Sequence, residues 1–342
     1  MSNPKIAIVI LNWNGVKLLQ QFLPSVIEFS KNNSTEIVVA DNGSTDDSLS
    51  LLRKEFPTVK ILDLKRNFGF ARGYNEALKQ IDADYFVILN SDVEVTSGWL
   101  ESPIRLMEAD QTIAAVQPKI LSYHQKTHFE YAGAAGGFID RFGYPFCRGR
   151  IFNEVEADTG QYDQTTDIFW ATGACMFVRG RLFHEVGGFD GDFWAHMEEI
   201  DLCWRLKNRG YRVVYSPKSA VFHVGGGTLS YDNPQKLFLN FRNNLWLLYK
   251  NLPGNQLFYL LFIRMVLDAL AAFKLLTEFN VNGIRSVLKA HTQFWISIPS
   301  LHRKRKQAGK DGHFTLPAEK LPRSIVFQFY IRKRKRFSEI QF

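Results

Sequence analysis

The segment KIAIVILNWNG, residues 5–15, joins a continuous run of apolar and mostly β-branched residues to a polar turn. A run of this kind without polar alternation is typical of a strand that is covered on both faces. Asn14 and Gly15 then break the strand, because both residue types favour turns. The segment lacks a basic N-terminal region and a small-residue cleavage site, so it predicts a first strand rather than a secretory leader.

The alternation of strand and helix patterns continues to residue 95. Further strand patterns lie at EIVVA (36–40), VKILDL (59–64) and YFVILN (85–90), and helical patterns separate them. Helices that connect parallel strands cover both faces of the sheet. We therefore expect an α/β fold with a Rossmann-like, mostly parallel sheet flanked by helices. Ligands of such open sheets bind beyond the carboxyl ends of the strands.

Polar loops follow all four predicted strands. Because the carboxyl ends of parallel strands meet at one edge, we expect these loops to converge. Asp41 could accept hydrogen bonds from a ribose or a base, although its Asp-Asn-Gly-Ser run is also an ordinary turn signal. Arg72 could meet phosphate oxygens. The candidate nucleotide-binding residues at this edge are Asn12, Asn14, Asp41, Asn67, Arg72 and Ser91.

Asp92 lies in ILNSDVEV, residues 88–95, where an apolar strand ends in an acidic loop. A carboxylate at this edge can hold Mg²⁺ or Mn²⁺, which prefer oxygen ligands and share them with phosphates. Taken alone, Asp92 is equally consistent with a solvated turn. His223 follows the apolar SAVF and precedes glycines, so it could bind a metal or a phosphate, although a lone His is more often structural.

Three carboxylates, Glu198, Glu199 and Asp201, lie within four residues. Their mutual repulsion implies that some of them have a partner or a role. Asp201 can pair with Arg205 one helical turn later. The apolar residues around Glu198 and Glu199 predict partial burial and a raised pKa, which would suit a general base. The competing interpretation is an exposed acidic helix start that the helix dipole favours.

The excess positive charge of the chain is confined to its C-terminal part. Residues 284–342 contain 14 Lys and Arg but 3 Asp and Glu, mostly in HRKRK (302–306) and IRKRKR (331–336). Basic blocks of this kind usually meet an anionic polymer or surface. The three cysteines have no CxxC spacing, which argues against a disulfide framework or a structural zinc site.

The segment QLFYLLFIRMVLDALAAFKLL, residues 256–276, has the length of a membrane span. Its charged residues Arg264, Asp268 and Lys274 would be costly at a bilayer centre. On a helical wheel they fall within about 120°. An amphipathic helix in a membrane interface therefore fits better than a span, and the basic blocks would add attraction to anionic lipids. The alternative is a helix packed on the rest of the protein, with a solvated basic tail.

Six motifs occur in order between residues 4 and 230. They are IVILNWNG, VVADNGSTDDS, RNFGFARGYNEA, ILNSDVEV, WATGACMFVRGRLFHEVGGFD and HMEEIDLCWRLKNRGYRVVYSPKSAVFHVGG. Each motif alone is weak, but the ordered set resembles the family 2 glycosyltransferases, whose nucleotide-binding fold is called GT-A. Among them it is most similar to the rhamnosyltransferase-like subgroup.

The resemblance implies a GT-A catalytic domain at 1–235 and a C-terminal helical region with a basic tail at 236–342. It implies a nucleoside contact for Asp41 and a divalent cation, Mn²⁺ or Mg²⁺, on Asp92 with His223. Asn90 stands where the family has an Asp, so it would supply a neutral oxygen. Glu199, with Glu198 beside it, falls at the catalytic carboxylate. The acceptor-side residues would be Trp170, Thr172, Gly173 and Asp201.

The implied reaction is inverting transfer of a sugar from a UDP- or dTDP-linked donor to a glycan or lipid-linked acceptor. The expected location is cytoplasmic, peripheral on the inner face of the cytoplasmic membrane, with an anionic lipid surface as partner. Three alternatives remain open. A nucleotidyltransferase would need a Gly-rich loop where this chain has NWNG, and Asn90 is compatible with a catalytically impaired relative. A nucleic-acid-binding protein is not expected, because the basic tail lacks the motif context for that role.

Overall fold

The computed structural model of the chain describes residues 4–32, 34–225, 233–311 and 313–342, without the side chain of residue 311. Its strands are β1 (Ile6–Asn12), β2 (Thr35–Asp41), β3 (Lys60–Asp63), β4 (Tyr85–Leu89), β5 (Val93–Val95), β6 (Ile113–Ser122), β7 (Gly137–Asp140), β8 (Pro145–Cys147), β9 (Arg150–Ile151), β10 (Glu154–Val155), β11 (Thr166–Asp167), β12 (Cys175–Arg179), β13 (Arg212–His223) and β14 (Lys320–Leu321). Its α-helices are α1 (Val16–Phe29), α2 (Ser48–Glu55), α3 (Gly69–Leu78), α4 (Glu101–Ala109), α5 (Gly180–Glu185), α6 (Glu198–Asn208), α7 (Pro234–Asn251), α8 (Gly254–Thr277), α9 (Val281–Asp311) and α10 (Ile325–Tyr330).

The central sheet has the strand order β11-β13-β6-β12-β4-β1-β2-β3, and β5 pairs with β13. The four strands predicted from the sequence, β1 to β4, run parallel. β12 joins them antiparallel to β4, and the sheet continues through β6 and β13. The predicted α/β sheet flanked by helices is confirmed. The half of the sheet beyond β4 contains both parallel and antiparallel strand pairs.

The register of the parallel strands places their polar ends side by side. Asn12 at the end of β1 is aligned with Asp41 of β2, and Asp41 is aligned with Asp63 of β3. β1 and β4 are buried along nearly their whole length, as their uninterrupted apolar sequences predict. The sheet therefore delivers polar groups to one edge from an apolar interior.

A second sheet, in the order β10-β9-β8-β7-β14, connects the C-terminal tail to the middle of the chain. β14 comes from the C-terminal tail and pairs parallel with β7. Next to this pair, the buried carboxylate of Asp140 accepts the main-chain N–H of Ile325 at 2.9 Å. Burial raises the pKa of Asp140 to about 6. The tail is thus part of the fold, and the division at 235 and 236 stays a prediction.

Helices α7, α8 and α9 pack against one another, and the polar side of α8 faces inward. Arg264 is paired with Asp268 at 2.7 Å, and both are buried. Asp268 also lies 3.2 Å from His291 of α9. α8 is therefore packed on the protein through Arg264 and Asp268, while Lys274 remains exposed, and a place for the helix in a membrane interface stays a prediction. In the part of the chain that the structure describes, no helix is both long and apolar enough to cross a membrane.

Parts of both basic blocks bind the protein itself. Lys304 of α9 is paired with Asp190 at 2.5 Å and with Asp192 at 2.6 Å. Lys335 of the second block is paired with Glu154 at 2.6 Å. The alternative of a solvated basic tail therefore does not describe these lysines, which join the C-terminal region to the rest of the fold, and attraction of the basic blocks to anionic lipids stays a prediction.

Candidate active site

The floor of the predicted nucleotide edge is a buried pair, Asn12 and Asp41. Asn12 Nδ2 donates to Asp41 Oδ2 at 3.0 Å and to Ser44 Oγ at 3.1 Å, and the two partners of the pair are both fully buried. Asp41 Oδ1 accepts the main-chain N–H of Ser44 at 2.9 Å. A Cβ added at Gly15 would lie 2.4 Å from Asn12 Oδ1, so this close approach requires glycine. A nucleoside contact for Asp41 stays a prediction.

Asn14 and Asn67 join the neighbouring loops to this floor. Asn14, whose φ is 51°, accepts the main-chain N–H of Thr45 at 2.7 Å. Asn67 Oδ1 accepts from Asn42 Nδ2 at 3.1 Å and from the main-chain N–H of Gly69 at 2.8 Å. The loops that follow β1, β2 and β3 therefore form one hydrogen-bonded edge, as their sequences predict.

Two arginines and a serine border this edge. The guanidinium groups of Arg66 and Arg72 lie 4.4 and 5.1 Å from the centre of the Phe68 ring. The side chain of Arg72 is 55% exposed, so it can reach a ligand. A Cβ at Gly15 would lie 3.9 Å from Ser91 Oγ, so the loop after β4 also reaches this edge.

The loop after β4 and the end of β13 bring Asp92 and His223 together. Asp92 Oδ1 lies 3.2 Å from His223 Nε2, and Asn90 Nδ2 lies 3.4 Å from the same nitrogen. Glu130 Oε2 is 3.2 Å from the other ring nitrogen, at an angle short of a good hydrogen bond. Burial alone would lower the pKa of His223, but Asp92 and Glu130 outweigh it and raise that pKa to about 10.

Asp92 and His223 form an ion pair here, and they could become ligands of a divalent cation shared with a substrate once His223 gives up its proton. Two protein atoms 3.2 Å apart, one carboxylate oxygen and one imidazole nitrogen, have a separation compatible with neighbouring ligands of one ion. The described residues contain no group of three or more His, Cys, Asp or Glu side chains with metal-site geometry. Mg²⁺ and Mn²⁺ tolerate so few protein ligands when phosphates and waters complete the shell.

Glu198 and Glu199 begin helix α6, directly after a strained loop. Three residues of this loop, Trp194, His196 and Met197, have φ values of 67°, 69° and 71°. Left-handed backbone is costly for residues with a Cβ and persists only where the surroundings impose it. The loop therefore stores strain next to the candidate catalytic carboxylates.

The two glutamates are poorly solvated. Each has a buried Oε2 without a hydrogen-bond partner among the described residues. Burial raises the pKa of Glu199 to about 7. Burial, with the charge of Glu199, also raises the pKa of Glu198 well above its ordinary value. A carboxylate that titrates near neutral pH can accept a proton at the pH of a cell.

Two neighbours hold the strained loop from opposite sides. Asn243 of α7 is fully buried, and its Nδ2 lies 3.0 Å from the carbonyl oxygen of Phe193 and 2.7 Å from that of His196. The first turn of α3 donates to the carbonyl oxygen of Trp194 from Phe70 at 2.9 Å and from Ala71 at 3.1 Å. The nucleotide edge and the C-terminal helices are thus both bonded to the loop that presents the glutamates.

The four predicted acceptor-side residues lie in the interior. Trp170 is 4% exposed and donates from Nε1 to the carbonyl oxygen of Phe138 at 2.9 Å. Asp201 is fully buried and paired with Arg205 at 2.8 Å and with Lys250 at 2.9 Å. The remaining two are Thr172, which is hydrogen-bonded to Gln117, and Gly173, which lies against the ring of Phe70. The structure does not bring these side chains to an open surface, and an acceptor role for them stays a prediction.

Sequence reasoning missed Glu130 and Asn243. Glu130 is a lone carboxylate in the apolar, glycine-rich stretch HFEYAGAAGG, a context in which an acidic residue requires a partner. Asn243 belongs to RNN within the largely apolar helix FLNFRNNLWLL. Buried amides are a signal of a polar contact, but neither pattern identifies the partner.

A comparison with protein-family models identifies the family of this chain. The model described as Glycosyl transferase family 2 matches residues 7–187, slightly more than half of the 342-residue chain. The chain belongs to glycosyl transferase family 2. In this family 2 glycosyltransferase the match includes Asp41 and Asp92, and it ends before Glu199 and His223.

Two relatives are rhamnosyltransferases. The N-acetylglucosaminyl-diphospho-decaprenol L-rhamnosyltransferase of Mycobacterium tuberculosis (strain ATCC 25618 / H37Rv) is 25% identical over 233 residues, which cover 64% of this chain and 75% of the relative. Rhamnosyltransferase WbbL of Escherichia coli (strain K12) is 26% identical over 167 residues, 46% of this chain and 61% of the relative. The chain is thus a glycosyltransferase that is similar to rhamnosyltransferases at low identity.

Two solved structures show the same fold. GalNAc-T7 with UDP, GalNAc and Mn²⁺ has a TM-score of 0.58 at 16% identity, over 73% of this chain and 48% of that one. Mannosyltransferase PcManGT from Pyrobaculum calidifontis with GDP-Man and Mn²⁺ has a TM-score of 0.53 at 15% identity, over 91% and 86%. These likenesses confirm the predicted GT-A fold.

Proposed function

We propose that the protein transfers a sugar, with inversion, from a UDP- or dTDP-linked donor to a hydroxyl group of a lipid-linked glycan in cell-surface polysaccharide synthesis. The proposal rests on the environment of Glu199. This residue follows a strained loop, and burial raises its pKa to about 7. A base with a pKa of about 7 is about half ionised at neutral pH, and its ionised form can accept a proton in the transition state.

In the proposed reaction, Glu199 takes the proton of the acceptor hydroxyl. The acceptor oxygen attacks the anomeric carbon from the face opposite the nucleotide. The bond between that carbon and the diphosphate oxygen breaks, and the diphosphate leaves with the bonding electrons. Glu199 is partly exposed, and its Oε2 has no hydrogen-bond partner among the described residues, which supports its availability for this proton.

The nucleotide would bind at the edge formed by the loops after β1 to β4. Asn12 is fully buried, so it would act by holding Asp41 and Ser44 in place through its hydrogen bonds to both. Arg72, exposed beside Phe68, would contact phosphate oxygens as a bidentate donor. Asn14, Asn67 and Ser91 would complete the edge.

A divalent cation, Mn²⁺ or Mg²⁺, would be held by Asp92 and neutral His223, with Asn90 as a neutral oxygen donor once its amide is turned over, because Nδ2 faces His223 in the structure. Bound there, it would neutralise charge on the leaving diphosphate. The two protein ligands lie 3.2 Å apart at the carboxyl edge of the sheet, which supports this assignment. Two solved structures of the same fold contain Mn²⁺.

The proposed acceptor and location follow from the relatives. The mycobacterial relative is named for a decaprenol-diphosphate acceptor, and a lipid-linked acceptor places its enzyme at a membrane surface. We therefore propose a cytoplasmic enzyme that is peripheral on the inner face of the cytoplasmic membrane.

The test is transfer from a panel of nucleotide sugars, with nucleotide affinity measured by calorimetry with and without Mn²⁺. Glu199→Gln should abolish transfer and leave nucleotide affinity nearly unchanged, because the amide keeps the shape but cannot take the proton. Glu198→Gln is the matched control and should retain turnover. Turnover that survives in Glu199→Gln but disappears in Glu198→Gln would reassign the base, and absence of nucleotide binding in both conditions would contradict the proposed function.

A further inference from the structure

Helices α8 and α9 present a large apolar surface to solvent, which we call the outer face. Phe258, Phe262 and Phe273 are 81%, 67% and 64% exposed. Isolated exposed apolar residues are ordinary, but a contiguous set of large ones marks an interaction surface. The outer face consists of Phe258, Tyr259, Phe262, Val266, Leu270, Phe273, Leu276, Leu288, Trp295 and Ile296.

The outer face is exposed because the charged groups of α8 are used internally. Arg264 is paired with the buried Asp268 and also donates to Asn244 Oδ1 at 2.5 Å. Its guanidinium lies 4.1 Å from the centre of the Tyr144 ring. An amphipathic helix on a water-soluble surface normally turns its charges outward. Here the polar side holds the helix to the protein, so the apolar side is left facing outward.

The charges around the outer face are mostly cationic. In α8, Asp268 is the single acidic residue and is fully buried, while the exposed Lys274 lies 3.6 Å from Glu278, which follows the helix. In α9, residues 281–310 contain no acidic residue, and Arg285 and Lys289 are exposed. An apolar face with aromatic residues and a basic border is the pattern of a helix that lies in the interface of an anionic membrane.

We propose that the outer face docks on an anionic lipid surface, with its aromatic and aliphatic side chains in the interface and Lys274, Arg285 and Lys289 among the headgroups. This deepens the membrane location proposed above by naming the surface that makes contact. A second copy of the chain is a poorer occupant, because a two-fold contact would bring together more cations than acidic groups, with Lys274, Arg285 and Lys289 beside Glu278 in each copy.

The docked helices are bonded to the catalytic region. Lys304 of α9 is paired with Asp190 and Asp192, just before the strained loop. Asn243 of the adjoining helix α7 contacts that loop directly. Docking through α8 and α9 would therefore hold the active site at a defined height and orientation above the lipid surface, where a lipid-linked acceptor presents its sugar.

The experiment is co-sedimentation of the full chain with phosphatidylcholine vesicles and with vesicles that also contain phosphatidylglycerol. The wild type should bind the anionic vesicles and bind the neutral ones more weakly. Phe262→Ser/Phe273→Ser should raise the lipid concentration for half binding by about tenfold or more, because two exposed rings no longer enter the interface. The matched control is Phe29→Ser/Val155→Ser, two exposed apolar residues that lie outside α8, α9 and the basic blocks and should leave binding like that of the wild type.

Two further measurements separate this proposal from others. Light scattering in the absence of lipid should show a monomer. A wild-type dimer that Phe262→Ser/Phe273→Ser dissociates would overturn the proposal in favour of self-association, as would vesicle binding that this variant leaves unchanged. Vesicle binding requires no substrate. If the protein binds vesicles but transfers no sugar, the docking proposal holds and the proposed function fails. If it transfers sugar but does not bind vesicles, the docking proposal is wrong.

Discussion

The side-chain amide of Asn243 lies 2.7 Å from the carbonyl oxygen of His196 and also contacts the carbonyl oxygen of Ala195 at 2.9 Å. His196 has a φ of 69° and is two residues before Glu198. Main-chain carbonyls that turn out of regular structure in a buried place need donors. Asn243, from the C-terminal helical region, supplies them, so it positions the loop that presents Glu199.

Asn243→Asp should lower kcat by about 10- to 100-fold with little change in KM for the donor, because small displacements of a reacting group are costly. The variant loses the amide donors but keeps an acceptor for Arg242 Nε, which donates to Asn243 Oδ1 at 2.9 Å. Steady-state kinetics and hydrogen exchange of residues 193–199 are the measurements. The exchange should accelerate in the variant.

Asn244→Asp is the matched control for Asn243→Asp. It is equally buried on the same helix, donates to the carbonyl oxygen of Gly143 and accepts from Arg264, away from the loop. An equal loss of kcat in both variants would show that Asn243 contributes to stability alone.

The pH dependence of transfer should follow Glu199. Its pKa is raised to about 7 by burial, and a general base acts in its ionised form. We therefore expect kcat/KM to rise with pH between about 6 and 8 and then to level off. A profile that is flat from about pH 5 to 9, or that falls over this range, would exclude Glu199 as the base.

Glu199→Gln should stabilise the protein at pH 8 while it abolishes transfer. The pKa of Glu199 is raised in the folded state, so the unfolded state loses this proton first as pH rises. Stability therefore falls between the ordinary pKa of 4.5 and about 7. Removing the buried charge should increase the free energy of unfolding by about 1–3 kcal/mol at pH 8 and change it little near pH 4. Denaturant unfolding at both pH values measures this, with the exposed Glu28→Gln as a control that should show no such gain.

Glu130→Gln should weaken Mn²⁺ binding in the presence of UDP by about 10- to 100-fold. Glu130 lies 3.2 Å from His223 Nδ1, on the side of the ring opposite Asp92. A carboxylate in that place orients a metal-binding imidazole and increases its basicity. Calorimetric titration with Mn²⁺ is the measurement. Glu94→Gln, which removes a nearby carboxylate paired with Lys126, should have little effect. Equal affinities in wild type and Glu130→Gln would mean that Glu130 does not act on the metal site.

Asn90→Asp should strengthen Mn²⁺ binding by about tenfold, since carboxylate count sets the affinity of such sites. Asn90 already contacts His223, and Asp92 is two residues away. A ligand that binds the folded protein more tightly also stabilises it more. Melting temperatures with and without Mn²⁺ should therefore differ more in the variant, and an unchanged difference would place Asn90 outside the metal site.

The sequence by itself determined the parallel strands and the edge where the nucleotide loops meet. Uninterrupted apolar runs such as Ile6–Asn12 report burial on both faces, and strand direction alone brings their polar ends together. The pair between Asp201 and Arg205 was likewise predictable, because helical spacing is local.

Only the tertiary structure decided which way the polar side of α8 faces. A helical wheel shows that Arg264 and Asp268 share a side, but it does not show whether water or His291 lies opposite. The contacts of Asn243 with His196 and of Glu130 with His223 also join residues far apart in the chain. Periodicity reports the local environment of a segment, whereas the identity of a distant partner depends on how the segments pack together.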